Sequence, residues 1–278
     1  MAIVRRSFAD FPEGQIHYRH SGAANDGVPL LMLHASPGSS LMLNPIIAAL
    51  GDHRHVIAPD TLGNGDSMPP SQEQPEISDY AVAVLALMEE LGVKQADFYG
   101  THTGARIATY LALNHPERVR KIILDGFGLY TPVDLDEILR VYAPEVQPDQ
   151  IGSQVMWAWH FCRDQFIYFP WFRKQKEFRV DLDLPDAEYL HDKFIEIMKS
   201  ITTYHKSYRA AFRYSMATHV PLITQPTMIT FAETDMVRSV YEEAVKLLPK
   251  AHHELLPGIR AAESVAVSMA ALNRFLDE

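Results

Sequence analysis

The sequence predicts an α/β protein with a mostly parallel central sheet flanked by helices, and three observations predict it. Short apolar runs alternate with helix-length amphipathic stretches at the spacing of βαβ units, which sets strands side by side with helices on both faces. Several runs, 30–33 among them, are continuous rather than alternating, the pattern of a strand buried on both faces. The rhythm then stops: residues 135–215 read as helical, rich in aromatic residues and free of convincing strands, before strand and helix resume at 226. A helical cap over 129–215 is therefore expected to interrupt a core made of 1–128 and 216–278.

The elements follow in order. Residues 5–11 and 15–20 alternate around Pro12-Glu13-Gly14 and read as a hairpin. The strand at 30–33 feeds the loop His34-Ala35-Ser36-Pro37-Gly38, a helix covers 45–50, and a buried strand covers 55–59. Val82, Val84, Leu85, Leu87, Met88 and Leu91 have helical periodicity within 79–91, with Gly92 as the stop. A strand at 96–99, a helix at about 103–114 and a strand at 121–124 come next. After the cap, strands at 226–231 and 253–256 alternate with helices at 240–248 and 263–276. There are no internal repeats and no low-complexity linkers.

Composition narrows the function. The 278 residues are 47% hydrophobic and 22% charged, ordinary for a globular chain. The net charge of −10, with no basic stretch, argues against a nucleic-acid partner. The longest apolar runs, such as 29–33 and 121–124, are of strand length and too short to span a bilayer, and Met1-Ala2-Ile3-Val4-Arg5-Arg6 lacks the apolar region of a secretory signal. A single cysteine, Cys162, excludes an internal disulfide and fits a reducing cytoplasm. The expected partner is a small-molecule substrate, with a homodimer left open, and no cofactor is implied.

Four segments carry a resemblance. They are Leu33-His34-Ala35-Ser36-Pro37-Gly38; Ala58-Pro59-Asp60-Thr61-Leu62-Gly63-Asn64-Gly65-Asp66-Ser67; Gly100-Thr101-His102-Thr103-Gly104, continued by His115-Pro116-Glu117-Arg118-Val119; and 226–231 followed by Ala232-Glu233-Thr234-Asp235. In this order they resemble the α/β-hydrolase superfamily. The resemblance implies the α/β-hydrolase fold, a nucleophile elbow at Gly-x-His-x-Gly where lipases and esterases read Gly-x-Ser-x-Gly, and a triad acid at Asp235. It also implies oxyanion donors at the backbone N–H groups of Ala35 and Thr103, the latter opening a helix whose dipole favours negative charge.

Two positions depart from the family. His102 stands where Ser, Cys or Asp belongs. The triad histidine is missing from Leu256-Pro257-Gly258-Ile259-Arg260-Ala261-Ala262-Glu263. His252 and His253 sit at the start of the preceding strand, more than about 15 Å from its carboxyl end at roughly 3.3 Å per residue. A standard Ser-His-Asp triad is absent.

His102 then becomes the candidate general base or nucleophile, since imidazole titrates near neutrality. Asp235 is expected to pair with Arg260 or to reach His102 through water, and Asp125 is an alternative acid. Arg260 would hold a substrate carboxylate in parallel hydrogen bonds. His34, with Arg163 and Trp159 from the cap, completes the candidate substrate-binding set, and His160, Asp164 and Gln165 lie nearby in sequence. The cap aromatics read foremost as helix packing. No His-x-His or His-Glu-x-x-His spacing supports a metal site built on His34 and His102. The reactions open to such a site are non-covalent hydrolysis of an activated ester or lactone, a cofactor-free lyase, decarboxylase or isomerase reaction, and binding without catalysis.

Overall fold

In the computed structural model, residues 2–22, 27–259 and 261–278 are described. Eight strands form one sheet in the order β1-β2-β4-β3-β5-β6-β7-β8. They are β1 (Arg5–Phe11), β2 (Gly14–Ser21), β3 (Leu30–Leu33), β4 (Val56–Pro59), β5 (Ala96–Thr101), β6 (Val119–Asp125), β7 (Thr227–Ala232) and β8 (His252–Leu256). The hairpin β1–β2 and its junction with β4 are antiparallel, and every other pairing is parallel. The helices are α1 (Asn44–Leu50), α2 (Ile77–Glu90), α3 (Thr103–Asn114), α4 (Pro132–Val141), α5 (Ser153–Asp164), α6 (Ala187–Lys199), α7 (Tyr204–Arg213), α8 (Met216–His219), α9 (Tyr241–Leu247) and α10 (Ala262–Asp277).

Side-chain alternation along the buried strands explains the layers. Leu31, Leu33, Ile57, Phe98, Ile122, Leu124, Ile229 and Phe231 face one side and pack with Tyr80 and Met88 of α2 and Ile107 and Leu111 of α3. Leu30, Met32, Val56, Tyr99, Ile123 and Met228 face the other and pack with Ile46 and Ile47 of α1 and Leu272 and Phe275 of α10. Both faces are covered, which is why 30–33 reads as continuously apolar.

The expected element boundaries shift by a few residues. The helix placed at 79–91 begins at Ile77, because the Asp79 carboxylate accepts the Glu76 N–H at 2.8 Å and caps the extra turn. Between β6 and β7 the chain forms α4 to α8. Phe161, Cys162, Ile197 and Phe212 anchor an apolar cluster there that is separate from the two sheet faces.

Candidate active site

The turn from β5 to α3 brings a helix hard against a strand. A Cβ on Gly104 would lie 2.0 Å from the Leu33 carbonyl oxygen, and one on Gly100 would lie 2.4 Å from the Gly104 oxygen. Only glycine fits both places. Between them His102 has φ 50° and ψ −102°, making it the one non-glycine residue with positive φ among the described residues. Its N–H donates to Gly126 O at 2.9 Å. Its carbonyl accepts from Arg106 Nη1 at 3.0 Å, while Arg106 Nη2 donates to Gly128 O at 3.1 Å.

The His102 ring meets Asp235 directly, not through water: Nε2 lies 3.1 Å from Asp235 Oδ2. With Nε2–H donating to the carboxylate, the lone pair falls on Nδ1, which has no protein partner among the described residues. The imidazole is 36% exposed, whereas Asp235 is nearly buried. Asp235 Oδ1 also accepts the Val237 N–H at 2.8 Å. Gly126 makes room for the pair, since a Cβ there would lie 2.3 Å from Asp235 Oδ2 and 3.2 Å from His102 Nε2, and its φ of +66° favours glycine as well.

Burial works against a charged imidazole at 102. The Asp235 charge and hydrogen bond, with Asp125 behind, outweigh it and raise the His102 pKa above its ordinary value. Burial likewise pushes the Asp235 carboxyl up, but the His102 charge, the bond to it and the Val237 N–H hold it below the carboxylate range. Asp125, in register with Thr101 at the end of β6, takes the hydrogen bond of the buried Tyr99 hydroxyl. Burial, followed by the charge of Asp235, lifts Asp125 to about 6 against the pull of that bond and of His102. It does not bond to His102; it sits behind the dyad as a carboxyl that ionises late.

The loop after β3 approaches the same turn, where Gly104 N–H donates to His34 O at 3.1 Å. The N–H groups of Ala35 and Thr103 have no acceptor among the described residues. Of the expected substrate-binding residues, His34 is turned into the protein, with both ring nitrogens bonded to backbone groups. Its Nε2 accepts the Thr61 N–H at 2.8 Å, its Nδ1 donates to Ala35 O at 2.8 Å, and it is wholly buried, with burial lowering its pKa. The neutral ring ties the loops after β3 and β4 together.

Asp60, in the second of those loops, accepts from His17 Nδ1, Ser40 N, Ser40 Oγ and Asp66 N at 2.6–3.0 Å. His17, Asp60 and Asp66 have donor atoms within 4.8 Å of one another, the spacing of a metal site. Four donors already occupy the Asp60 oxygens, and His17 presents a proton there rather than a lone pair, so the group works as a hydrogen-bond hub.

A cavity of about 160 Å³ has Gly128, Tyr130, Tyr142, Phe169, Val237 and Val240 among its walls; neither His102 nor Asp235 lines it, but Val237 N–H bonds Asp235. Arg163 and Trp159 do not line it. Arg163 bonds Asp164 Oδ1 through Nε and Nη2 at 2.9 and 2.7 Å, and Trp159 packs its edge on Phe194. The aromatic residues Trp157, Phe161, Trp171 and Tyr204 pack on one another. Arg260 lies outside the described residues. His252 and His253 pair with Met228 and Ile229, at the start of β7 and away from Asp235. Sequence reasoning missed Arg106, buried at 4% exposure; its signal was a lone charge among Ala105, Ile107 and Ala108 on a helix that packs on the sheet.

Comparisons with known proteins agree with this architecture. Residues 28–258 match the family model described as alpha/beta hydrolase fold. The chain is 29% identical over 234 residues to a 2-hydroxymuconate semialdehyde hydrolase of Pseudomonas sp., covering 83% of this chain and 68% of that protein. It is 33% identical over 125 residues to haloalkane dehalogenase 2 of Mycobacterium tuberculosis, covering 45% of this chain and 42% of that protein. A hydrolase from Pseudomonas aeruginosa superimposes with a TM-score of 0.73 at 20% identity, over 98% of each chain. The enol-lactonase from Burkholderia xenovorans does so with a TM-score of 0.70 at 20% identity, over 98% of this chain and 100% of that one. With the family model spanning most of the chain and the eight-stranded, mostly parallel sheet in place, this protein belongs to the α/β-hydrolase family.

Proposed function

We propose that this chain is a hydrolase of small activated esters or lactones that works without a covalent serine intermediate. The observation that carries the reading is the ring of His102 on a strained turn, with Nε2 bonded to Asp235 at 3.1 Å and Nδ1 left open. In this reading Nδ1 takes a proton from water as the water oxygen attacks the acyl carbon. Asp235 holds the ring and offsets the charge of the imidazolium, and the N–H groups of Ala35 and Thr103 receive the oxyanion. Collapse of the tetrahedral intermediate expels the alkoxide or enolate, which recovers the proton from Nδ1–H. An enolate leaves more easily than an alkoxide. The names of two similar proteins, a semialdehyde hydrolase and an enol-lactonase, support a substrate with an enol or a comparably activated leaving group.

The test is His102→Gln, which keeps a polar side chain but removes the base. General-base catalysis is worth typically about 10²- to 10⁴-fold, so kcat on a responsive aryl ester or enol lactone falls by that factor. The wild type resists labelling by a serine-directed fluorophosphonate, and one oxygen of H₂¹⁸O enters the acid product. Full activity of His102→Gln, or stable fluorophosphonate labelling, overturns the mechanism. Proton transfer without ¹⁸O uptake would point instead to a lyase or isomerase reaction at the same dyad.

A further inference from the structure

The cavity that reaches the dyad through Val237 and Gly128 has a definite size and a definite charge. Two of its walls are tied to the reacting groups. Gly128 O is held by Arg106, which also holds the His102 carbonyl, and Val237 N–H bonds Asp235, which bonds the imidazole. Its volume of about 160 Å³ matches an apolar cavity of about 150 Å³ known to hold benzene. Tyr130, Tyr142, Phe169 and Val240 give it aromatic and aliphatic faces.

The rim is acidic. Asp134 and Glu137 reach it from α4 and Arg173 from the segment after α5. Arg173 is already committed: its Nη2 bonds Glu137 Oε2, and its guanidinium lies 4.8 Å over the Phe178 ring. The N-terminus of α4 would attract an anion, but Thr131 Oγ accepts the Asp134 N–H and donates to the Asp134 carboxylate, which closes that end. The three charges sum to −1, with no cation among them left for an incoming carboxylate. An anion entering here loses its hydration and meets two carboxylates, whereas a neutral ring loses little.

We infer that this cavity takes an uncharged ring of benzene size, or a cationic group of similar bulk, and that Glu137 and Asp134 exclude carboxylates. The preferred substrate is then an aryl or alicyclic ester or lactone with no carboxylate on the part that fills the cavity. For its reaction this rests on the hydrolase reading; for its binding it does not.

The experiment titrates the full chain at pH 7.5 with benzyl alcohol, benzoate and benzylammonium and reads dissociation constants by NMR. Benzoate binds at least about tenfold more weakly than either of the others, a difference of about 1.4 kcal/mol. Glu137→Gln frees Arg173 and narrows or inverts the gap. Ile138→Trp, from α4, and Val240→Trp, from the opposite wall, each fill the space and abolish binding of all three, which guards against one variant failing to fold. Equal binding of benzoate and benzyl alcohol, or ring binding that survives both tryptophans, overturns the assignment. Ring binding in this charge order without ester turnover upholds the cavity and removes only the hydrolase reading; turnover indifferent to ring and charge does the reverse.

Discussion

The β5–α3 turn holds His102 at a backbone geometry that costs a non-glycine residue about 1–3 kcal/mol, and three hydrogen bonds, from Gly126, Arg106 and Asp235, oppose relaxation. The strain aims the ring while Asp235 sets its tautomer. The pKa directions then fix the pH behaviour. A raised His102 pKa means that the protonated dyad stabilises the fold below the unfolded value of 6.5 and loses that contribution as pH rises through the folded value. Under the proposed mechanism catalysis runs the other way, because the base must be neutral: kcat/KM should climb with pH through an apparent pKa above 6.5. Asp235→Asn moves that apparent pKa downward and lowers kcat by about tenfold or more, since the largest raising influence and the orienting acceptor leave together. An unchanged pH profile in Asp235→Asn would show that another group sets the titration.

Among the elements, the loops after β3 and β4 are joined through His34 and through Asp60, which is their hydrogen-bond hub. Despite burial, the His17 bond, the nearby His34, the Ser40 bonds and the Asp66 N–H take its pKa from 3.8 to about 2. A depressed carboxyl stabilises the fold above its unfolded pKa and loses that contribution as pH falls through the folded one; here the shift corresponds to about 2 kcal/mol at neutral pH. Asp60→Asn should therefore lower the urea midpoint at pH 7 by that equivalent, with the gap to wild type closing as pH approaches about 2. A gap that persists there would make the defect one of packing rather than charge.

The elements also show what was legible in the sequence. The strands were, because continuous apolar runs have little alternative to a two-sided sheet. The resemblance of four segments to the α/β-hydrolase superfamily put His102, Asp235, Ala35 and Thr103 on the candidate list. Their direct bond did not follow, since it depends on Gly126 leaving space between β6 and the dyad. Arg163 and Trp159 lie outside the cavity wall, and aromatic and cationic content in α5 does not say which face of that helix meets the cavity. Glu137 and Arg173 went unnoticed because 36 residues separate them in the chain.

At the scale of the molecule, the sheet carries a core on each face and residues of α4 to α7 form a third. Phe161, fully buried within it, stacks on Trp157 at 4.9 Å and meets Trp171 at 5.2 Å. Phe161→Ala removes about 3–5 kcal/mol of packing. With the cores distinct, the loss should surface first as faster amide exchange in α5 to α7 while β5 and β6 keep their protection. Leu272→Ala, beneath the sheet in α10, should instead cost about 2–5 kcal/mol of global stability and hasten exchange throughout. Uniform exchange in both variants would show one cooperative unit.

The bond between His102 and Asp235 also decides what a serine at position 102 would find around it. His102→Ser alone would supply a hydroxyl but leave no described imidazole to take its proton: His34 is locked between two backbone groups, and His252 and His253 stand at the far end of β8. That variant has neither the old base nor a working nucleophile. Among the described residues, a serine at position 102 therefore needs a second substitution that supplies an imidazole beside Asp235.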